Sequence, residues 1–481
     1  MSYRRTKIVA TIGPASDSPQ VLEQLILAGM DVARLNFSHG QASEHKQRAQ
    51  LIREVAAKHN RHVALLGDLQ GPKIRIARFA DKCIELAPGE RFTLSTEHPR
   101  DAGTRQRVGV DYADLIADCQ VGDELLLDDG RVVMRVEAVT DTELQCLVLV
   151  GGPLSDHKGI NRRGGGLTAP ALTDKDRQDI LLAAELDLEY LAVSFPRDMA
   201  DMQLARELCE AAGSKAWLVA KIERAEAVKN DEVLHGLIEA SDAVMVARGD
   251  LAVEIGDAEL VGIQKKIIAA CRRHNKAVIT ATQMMESMIS SPMPTRAEVS
   301  DVANAALDYT DAVMLSAETA AGRYPVEAVA AMARICLGAE KSPDMHRSSH
   351  RLGRVFARQD ESIALAAMYV ANHFPAVTAV IALTESGYTA LVMSRIRSSI
   401  PIYAFAPSAR TQARTALFRG VYTIAFNPSD YAGGEVCTKA ITKLVQEGKV
   451  QPGDWVVFTQ GDKMHNVGGT NDMKLLQVPE H

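Results

Sequence analysis

The sequence predicts an α/β chain: a closed (β/α)8 barrel, interrupted by an inserted all-β domain and followed by a C-terminal α/β domain. Three observations predict it. Eight short β-branched runs alternate with amphipathic helical stretches, which implies parallel strands. The runs follow evenly except for one long gap after residue 70, whose interior has a different texture. Strand and helix signals then resume beyond a polar, basic stretch that begins at residue 341.

In chain order the strand signals are KIVATIG (7–13), DVARLNFS (31–38), HVALLGDLQ (62–70), YLAVSF (190–195), WLVAKIE (217–223), DAVMVARGD (242–250), AVITATQ (277–283) and DAVMLSAET (311–319). Helical stretches such as SPQVLEQLILAG (18–29) and HKQRAQLIREVAAKH (45–59) stand between them. Eight such units close into a barrel of the TIM type more readily than they form an open sheet. The gap carries turn signals (APGE, DAGT, VGDE, DDGR) and alternating runs such as RVVMRVEAV, and reads as an inserted β-barrel lid over 71–168. Its exit ends in Gly164-Gly165-Gly166, a hinge signal. The barrel then occupies 1–70 and 169–340. VTAVIALTES (377–386), PIYAFAP (401–407), VYTIAF (421–426) and WVVFTQG (455–461) place an α/β regulatory domain over 341–481. The length of 481 residues suits about three domains.

Composition excludes several classes. A net charge of −7 argues against a nucleic-acid surface. No apolar run is long enough to span a membrane, and the N-terminus lacks the apolar core of a signal peptide. Seven scattered cysteines, none spaced as CxxC, suit a reducing cytoplasm, neither a disulfide framework nor a zinc site.

In a (β/α)8 enzyme the chemistry sits at the C-terminal ends of the strands. Polar residues gather there: Arg34 to His39, Asp68, Lys221 and Glu223, Arg248 to Asp250, Thr280, Thr282 and Gln283, Ser316 and Glu318. Strand alternation puts Lys221 and Glu223 on one face. Each residue alone has a plain structural use: an ion pair for Lys221 and Glu223, a helix cap for Asp250, a capping box for Thr295 with Glu298. Together they describe chemistry. Glu223 and Asp250, on neighbouring strands, suit a hard divalent cation such as Mg²⁺. Arg34, Arg75 and Lys221 suit an anionic substrate. The Arg248-Gly249-Asp250 turn offers backbone N–H groups to a carboxylate or phosphate. A small phosphorylated acid fits such a site. GxxxxGK[ST] is absent.

The motifs ATIGPAS, GMDVARLNFSHG, GDLQGPKIR, KIERAEAV, MVARGDLAVE, ATQMMESMI, PTRAEVSDVANA and MLSAETAAGRYP, in that order, resemble the pyruvate kinase family. The resemblance covers essentially the whole chain and is of the bacterial type. It implies Mg²⁺-dependent phosphoryl transfer from phosphoenolpyruvate to ADP, giving pyruvate and ATP, with Mn²⁺ as a possible substitute metal. By resemblance Arg34 meets the substrate phosphate, and Glu223 and Asp250 hold the metal. Gly249 and Asp250 receive the carboxylate, Thr282 touches substrate, and Lys221 stabilises the phosphoryl group in flight. Asn36, Phe37, Ser38, His39, Arg75 and the lid's Lys158 resemble the nucleotide contacts. Other readings are a metal-dependent aldolase or lyase acting on pyruvate enolate, and a metabolite sensor on a dead barrel.

One departure stands out. Family members that require K⁺ hold it at residues equivalent to Asn36, Ser38 and Asp68, in a loop resembling DTKGPE. Here the loop is DLQGPK, and Lys73 replaces the glutamate. Lys73, grouped with Asn36, Ser38 and Asp68, is expected to supply the charge of K⁺, so that K⁺ is not required. In the third domain, small hydroxyl residues between a strand and a helix make an anion nest. Thr384, Ser386, Gly387, Tyr388 and Thr389 resemble the phosphate site of an allosteric activator, a sugar phosphate or AMP, with 459–473 as its closing loop. The family is usually a homotetramer.

Overall fold

A computed structural model of the chain describes residues 3–345, 351, 353–462 and 468–480. The eight predicted runs form parallel strands β1 (Lys7–Thr11), β2 (Val32–Asn36), β3 (Ala64–Asp68), β4 (Tyr190–Val193), β5 (Trp217–Ile222), β6 (Ala243–Ala247), β7 (Ala277–Ala281) and β8 (Ala312–Leu315). Each pairs with the next in chain order, and β8 returns to β1 through Lys7–Ala312 to Ala10–Leu315. The expected closed barrel is present.

Its strands are apolar on both faces because both are covered. Val9, Val32, Leu66, Tyr190, Val219, Met245, Ile279 and Met314 pack together in the interior, continuous at its floor with Leu417 and Phe418 of the C-terminal domain. The alternate residues Ile8, Leu35, Leu65, Leu191, Leu218, Val244, Val278 and Val313 pack against the surrounding helices. Helix starts follow ordinary capping chemistry: Ser18 accepts from Val21 N ahead of Pro19–Ala28. Thr295 and Glu298 form the expected capping box before Arg296–Leu307. Among the described residues no helix is long and apolar enough to cross a membrane.

After β3 the chain leaves the barrel and returns through the helix Asp174–Glu185. The insert between them is all-β. Ile160–Arg162, Glu124–Leu127, Val132–Val139, Glu143–Val150, Arg91–Ser95 and Arg107–Gly109 form one sheet in that order, beside a ribbon of Cys83–Leu86 with Gly152–Ser155. Single bridges Arg75–Gly159 and Ile76–Val110 tie the two edges of the sheet, so the insert curls onto its own core of Leu94, Leu125, Met134 and Val148.

The C-terminal sheet runs Val421–Ala425, Ile402–Ala406, Val377–Leu383, Trp455–Gly461 and Thr470–Gln477, the last antiparallel. It is sewn to the barrel floor by buried ion pairs. Asp311, fully buried just ahead of β8, accepts from Val278 N at 2.9 Å and from Arg419 N at 3.0 Å, and pairs with the equally buried Arg395. Glu340 accepts from Thr6 N at 2.6 Å and lies 3.5 Å from Arg419. Burial pushes the Glu340 carboxyl up, but Arg419, Thr6 and Arg5 outweigh it and hold the group below its ordinary range.

Candidate active site

The period-two alternation that fills the barrel interior continues past the strand ends and sets the rim. In β5, Val219 points inward, so Lys221 and Glu223 do too. The Lys221 ammonium lies 2.7 Å from Ser194 Oγ, 3.1 Å from Asp68 Oδ1 and 3.0 Å from Glu223 Oε1. Burial alone would lower its pKa; Asp68 and Glu223 raise it further than burial lowers it, so the ammonium is secure. Asp68 is 1% exposed and accepts from Arg34 Nε at 2.7 Å. Burial raises its pKa, yet Lys221 and Arg34 bring it below the usual carboxylate range. Arg34 Nη1 donates to Thr11 Oγ1 at 2.9 Å, and its Nη2 has no partner among the described residues.

Glu223 is 2% exposed, and its Oε2 accepts from Phe195 N at 2.8 Å. Burial pushes its carboxyl up to about 7; Lys221 pulls it down, while Asp250 and Asp68 push it up. Asp250, part-exposed at the start of the helix Arg248–Ile255, takes the Lys73 ammonium at 3.0 Å.

That contact corrects one expectation. Lys73 does not join Asn36, Ser38 and Asp68. Both Asp68 oxygens are already engaged, by Arg34 and Lys221, and Asn36 Oδ1 accepts from Ser38 N at 3.1 Å. Asp250 has no other cationic partner among the described residues, so Lys73 reaches there, 3.8 Å from the lid's Asp129. Burial lowers its pKa, but Asp250 and Asp129 more than compensate, keeping it charged.

The Gly249-Asp250 turn and Thr282 form one unit. Gly249 N donates to Thr282 Oγ1 at 2.8 Å, and that hydroxyl donates to Ala281 O at 2.7 Å. Thr282 and Gln283 sit at φ of 64° and 53°, left-handed backbone that a β-branched residue adopts only under constraint. The buried Arg248 supplies it, donating to Thr282 O at 2.7 Å and Gln283 O at 3.1 Å while gripping Asp301 at 2.7 and 2.8 Å. Lys73, Asp129, Gly249, Asp250, Thr282 and Glu318 line a cleft of about 630 Å³ between lid and barrel.

The residues expected around a nucleotide divide. His39 is exposed, Asn36 and Ser38 are half-buried, and the half-buried Arg75 side chain makes no hydrogen bond among the described residues. Lys158 is tied to the lid's own Asp128 at 2.8 Å. Phe37 is corrected: at 2% exposure its ring packs edge-on against His45, 5.0 Å between centroids, and both backbone groups are engaged, its N donating to Asp68 O at 3.0 Å and its carbonyl accepting from Lys175 at 2.7 Å. A phenyl ring beside the apolar wall of β3 is core, whatever polar residues flank it.

The C-terminal loop divides likewise. Thr384 Oγ1 accepts from Gly387 N at 2.9 Å, Ser386 is half-buried, and Gly387 holds φ 89° against Thr415. Tyr388 turns away from the loop, another correction, while Thr389 faces the expected closing loop through Thr470. The Tyr388 hydroxyl donates to Glu361 at 3.0 Å, and Thr389, 6% exposed, pairs with Thr470 at 2.8 Å. Both open a helix, whose first turn points successive side chains apart. The expected closing loop, 459–473, includes residues 463–467, which lie outside the described residues.

The sequence reading missed Ser194 and Arg248 as supports. A polar end on YLAVSF signalled the first; the rim position of the second was legible, but not its partners, 34 and 53 residues away.

Comparison with known proteins gives concordant matches. The family model described as "Pyruvate kinase, barrel domain" matches residues 3–329, and "Pyruvate kinase, alpha/beta domain" matches 361–476. The chain is 56% identical over 476 residues to pyruvate kinase II of Salmonella typhimurium, covering 99% of each chain. It is 54% identical to a pyruvate kinase of Haemophilus influenzae, covering 95% of this chain and 96% of the relative. A crystal structure of a pyruvate kinase from Cryptosporidium parvum superposes with a TM-score of 0.91 at 35% identity, covering 99% of this chain and 96% of that one.

Proposed function

The chain belongs to the pyruvate kinase family, and from that premise we propose how its residues share the transfer of a phosphoryl group between phosphoenolpyruvate and ADP. The enzyme is a pyruvate kinase; the aldolase and sensor readings give way to the family assignment. The observation that carries the division of labour is the Lys221 ammonium, held at 3.0 to 3.1 Å between Asp68 and Glu223 at the barrel rim.

Phosphoryl transfer is mostly positioning and charge neutralisation. Lys221 stands ready to meet negative charge on the migrating group, fixed by three partners before substrate arrives. Arg34 offers the unpartnered Nη2 to the substrate phosphate. The Gly249-Asp250 turn receives the carboxylate, and Thr282, held by Arg248, stands against the substrate beside it. Arg75, Lys158 and the Asn36 to His39 loop, through Asn36, Ser38 and His39, face the nucleotide.

Glu223 and Asp250 would hold Mg²⁺, or Mn²⁺ in its place. The fit rests on two features: Glu223 and Asp250 are hard oxygen donors near enough for Asp250 to oppose ionisation of Glu223, and Asp250 already holds a stand-in cation, the Lys73 ammonium, at 3.0 Å. Hard oxygen donors from one or two carboxylates, with substrate oxygens completing the shell, are what Mg²⁺ takes. Bound there, the metal would supply positive charge to offset the negative charge of the phosphate groups.

Lys73 adds a permanent monovalent cation to the same cleft, which supports turnover without K⁺. A coupled assay in K⁺-free buffer is expected to give full Mg²⁺-dependent, ADP-dependent pyruvate release, abolished by EDTA. Lys73→Glu is expected to make activity rise at least about tenfold on adding K⁺, since it reverses a charge next to Asp250. Strict K⁺ dependence of the native enzyme, or turnover in EDTA, contradicts this reading. The Thr384, Ser386 and Gly387 loop supports a phosphorylated activator, a sugar phosphate or AMP, acting in a cytoplasmic homotetramer.

A further inference from the structure

The helix Arg248–Ile255 has a second engaged end. It opens with the Gly249-Asp250 turn, and one turn on it carries Glu254, 5% exposed and outside the cleft. Glu254 Oε1 accepts from Asn161 Nδ2 of the lid's returning strand at 3.3 Å. Its Oε2 accepts from Ala225 N, just past Glu223, at 2.8 Å. Its carbonyl accepts from Gly164 N at 3.0 Å, the first of three successive left-handed glycines. The hinge has two further tethers beside it: Gly166 N donates to Glu226 at 2.5 Å, and Arg224 donates to Leu167 O. A cavity of about 30 Å³ here touches the chain's way into the lid at Pro72–Ile74, its way out at Leu167 and Ala169, and the lid strand at Ile160 and Asn161.

We propose that Glu254 is a positioning residue for the lid, fastening the lid's return strand to the helix that opens with the substrate-binding turn. The inference rests on the site assigned above. A hinge of three glycines has little stiffness of its own. The stance of the lid must come from side chains that grip it, and Glu254 grips the lid, the strand bearing the metal carboxylate and the helix of the turn together. It therefore sets where Lys158 stands over the nucleotide, while the groups that meet phosphoenolpyruvate lie on the barrel.

The test uses Glu254→Ala, Asn161→Ala, their double variant and Glu254→Gln in the full-length enzyme. Each alanine variant is expected to raise KM for ADP about tenfold and KM for phosphoenolpyruvate by less than about threefold, with the double variant no worse than the worse single, as for two ends of one contact. Glu254→Gln keeps an acceptor for Ala225, and its amide can donate to Asn161 Oδ1, so it stays within about threefold of wild type. Trypsin is expected to cut after the exposed Arg163 about tenfold faster in Glu254→Ala than in wild type or Glu254→Gln. Additive single effects, equal rises in both KM values, an unchanged KM for ADP, or trypsin cleavage at the wild-type rate would each overturn the proposal. The Lys221 substitution below tests the site without reference to the hinge, so the two can fail separately.

Discussion

Lys221→Ala is expected to lower kcat by on the order of 10²–10³, the usual loss when one preorganised group that meets transition-state charge is removed. In the resting enzyme the ammonium is held by Ser194, Asp68 and Glu223. No reorganisation is needed when negative charge develops on the migrating group, and no neighbour can replace it. Arg34 is anchored to Asp68 and Thr11, and Lys73 is occupied at Asp250. Lys221→Arg is not a conservative rescue, because a planar fork cannot fill a site shaped for a compact ammonium. KM for phosphoenolpyruvate should move far less than kcat, because the interaction grows mainly in the transition state. Turnover within about tenfold of wild type would contradict the role.

Asp311→Ala is expected to be the most damaging single change away from the active site. Asp311 and Arg395 are both fully buried, and Asp311 also holds Val278 N of β7 and Arg419 N of the C-terminal domain. Truncation strands the Arg395 charge, leaves two N–H groups without acceptors and unpicks the seam between the domains. Breaking a buried pair from one side costs about 3–5 kcal/mol. A urea titration of the whole enzyme, followed by the fluorescence of Trp217 in the barrel and Trp455 in the C-terminal domain, is expected to show an earlier transition. The same midpoint as wild type would contradict this account of the seam.

The barrel and its rim were legible because strand period and burial act locally. Val219, Lys221 and Glu223 face one way by pleat alone, and the alternation that fills the interior also delivers polar groups to its mouth. Phe37 was misread because a contiguous run was taken as one surface, whereas β2 sends its neighbours to opposite sides. Tyr388 was misread for the helical version of that reason. Lys73 was placed on the wrong side of the cleft because its partner, Asp250, lies 177 residues along the chain. Only the fold reveals that Asp68 is already saturated. Glu254 and Asp311 carried no local signal, and Arg248 showed only its place at the rim, since each acts through partners remote in sequence. Tertiary pairing of buried charge is the information that periodicity cannot carry.

In the proposed division of labour, Glu223 and Asp250 hold the metal while Lys221, beside them, neutralises the phosphoryl group without helping to bind that metal. Mn²⁺ titration followed by electron paramagnetic resonance, on wild type, Lys221→Ala and Glu223→Gln, tests it most directly. Lys221→Ala is predicted to bind Mn²⁺ at least as tightly as wild type, because removing a cation can only favour another. Glu223→Gln is predicted to bind at least about tenfold more weakly. Normal Mn²⁺ binding by Glu223→Gln, or its loss in Lys221→Ala, would contradict the account.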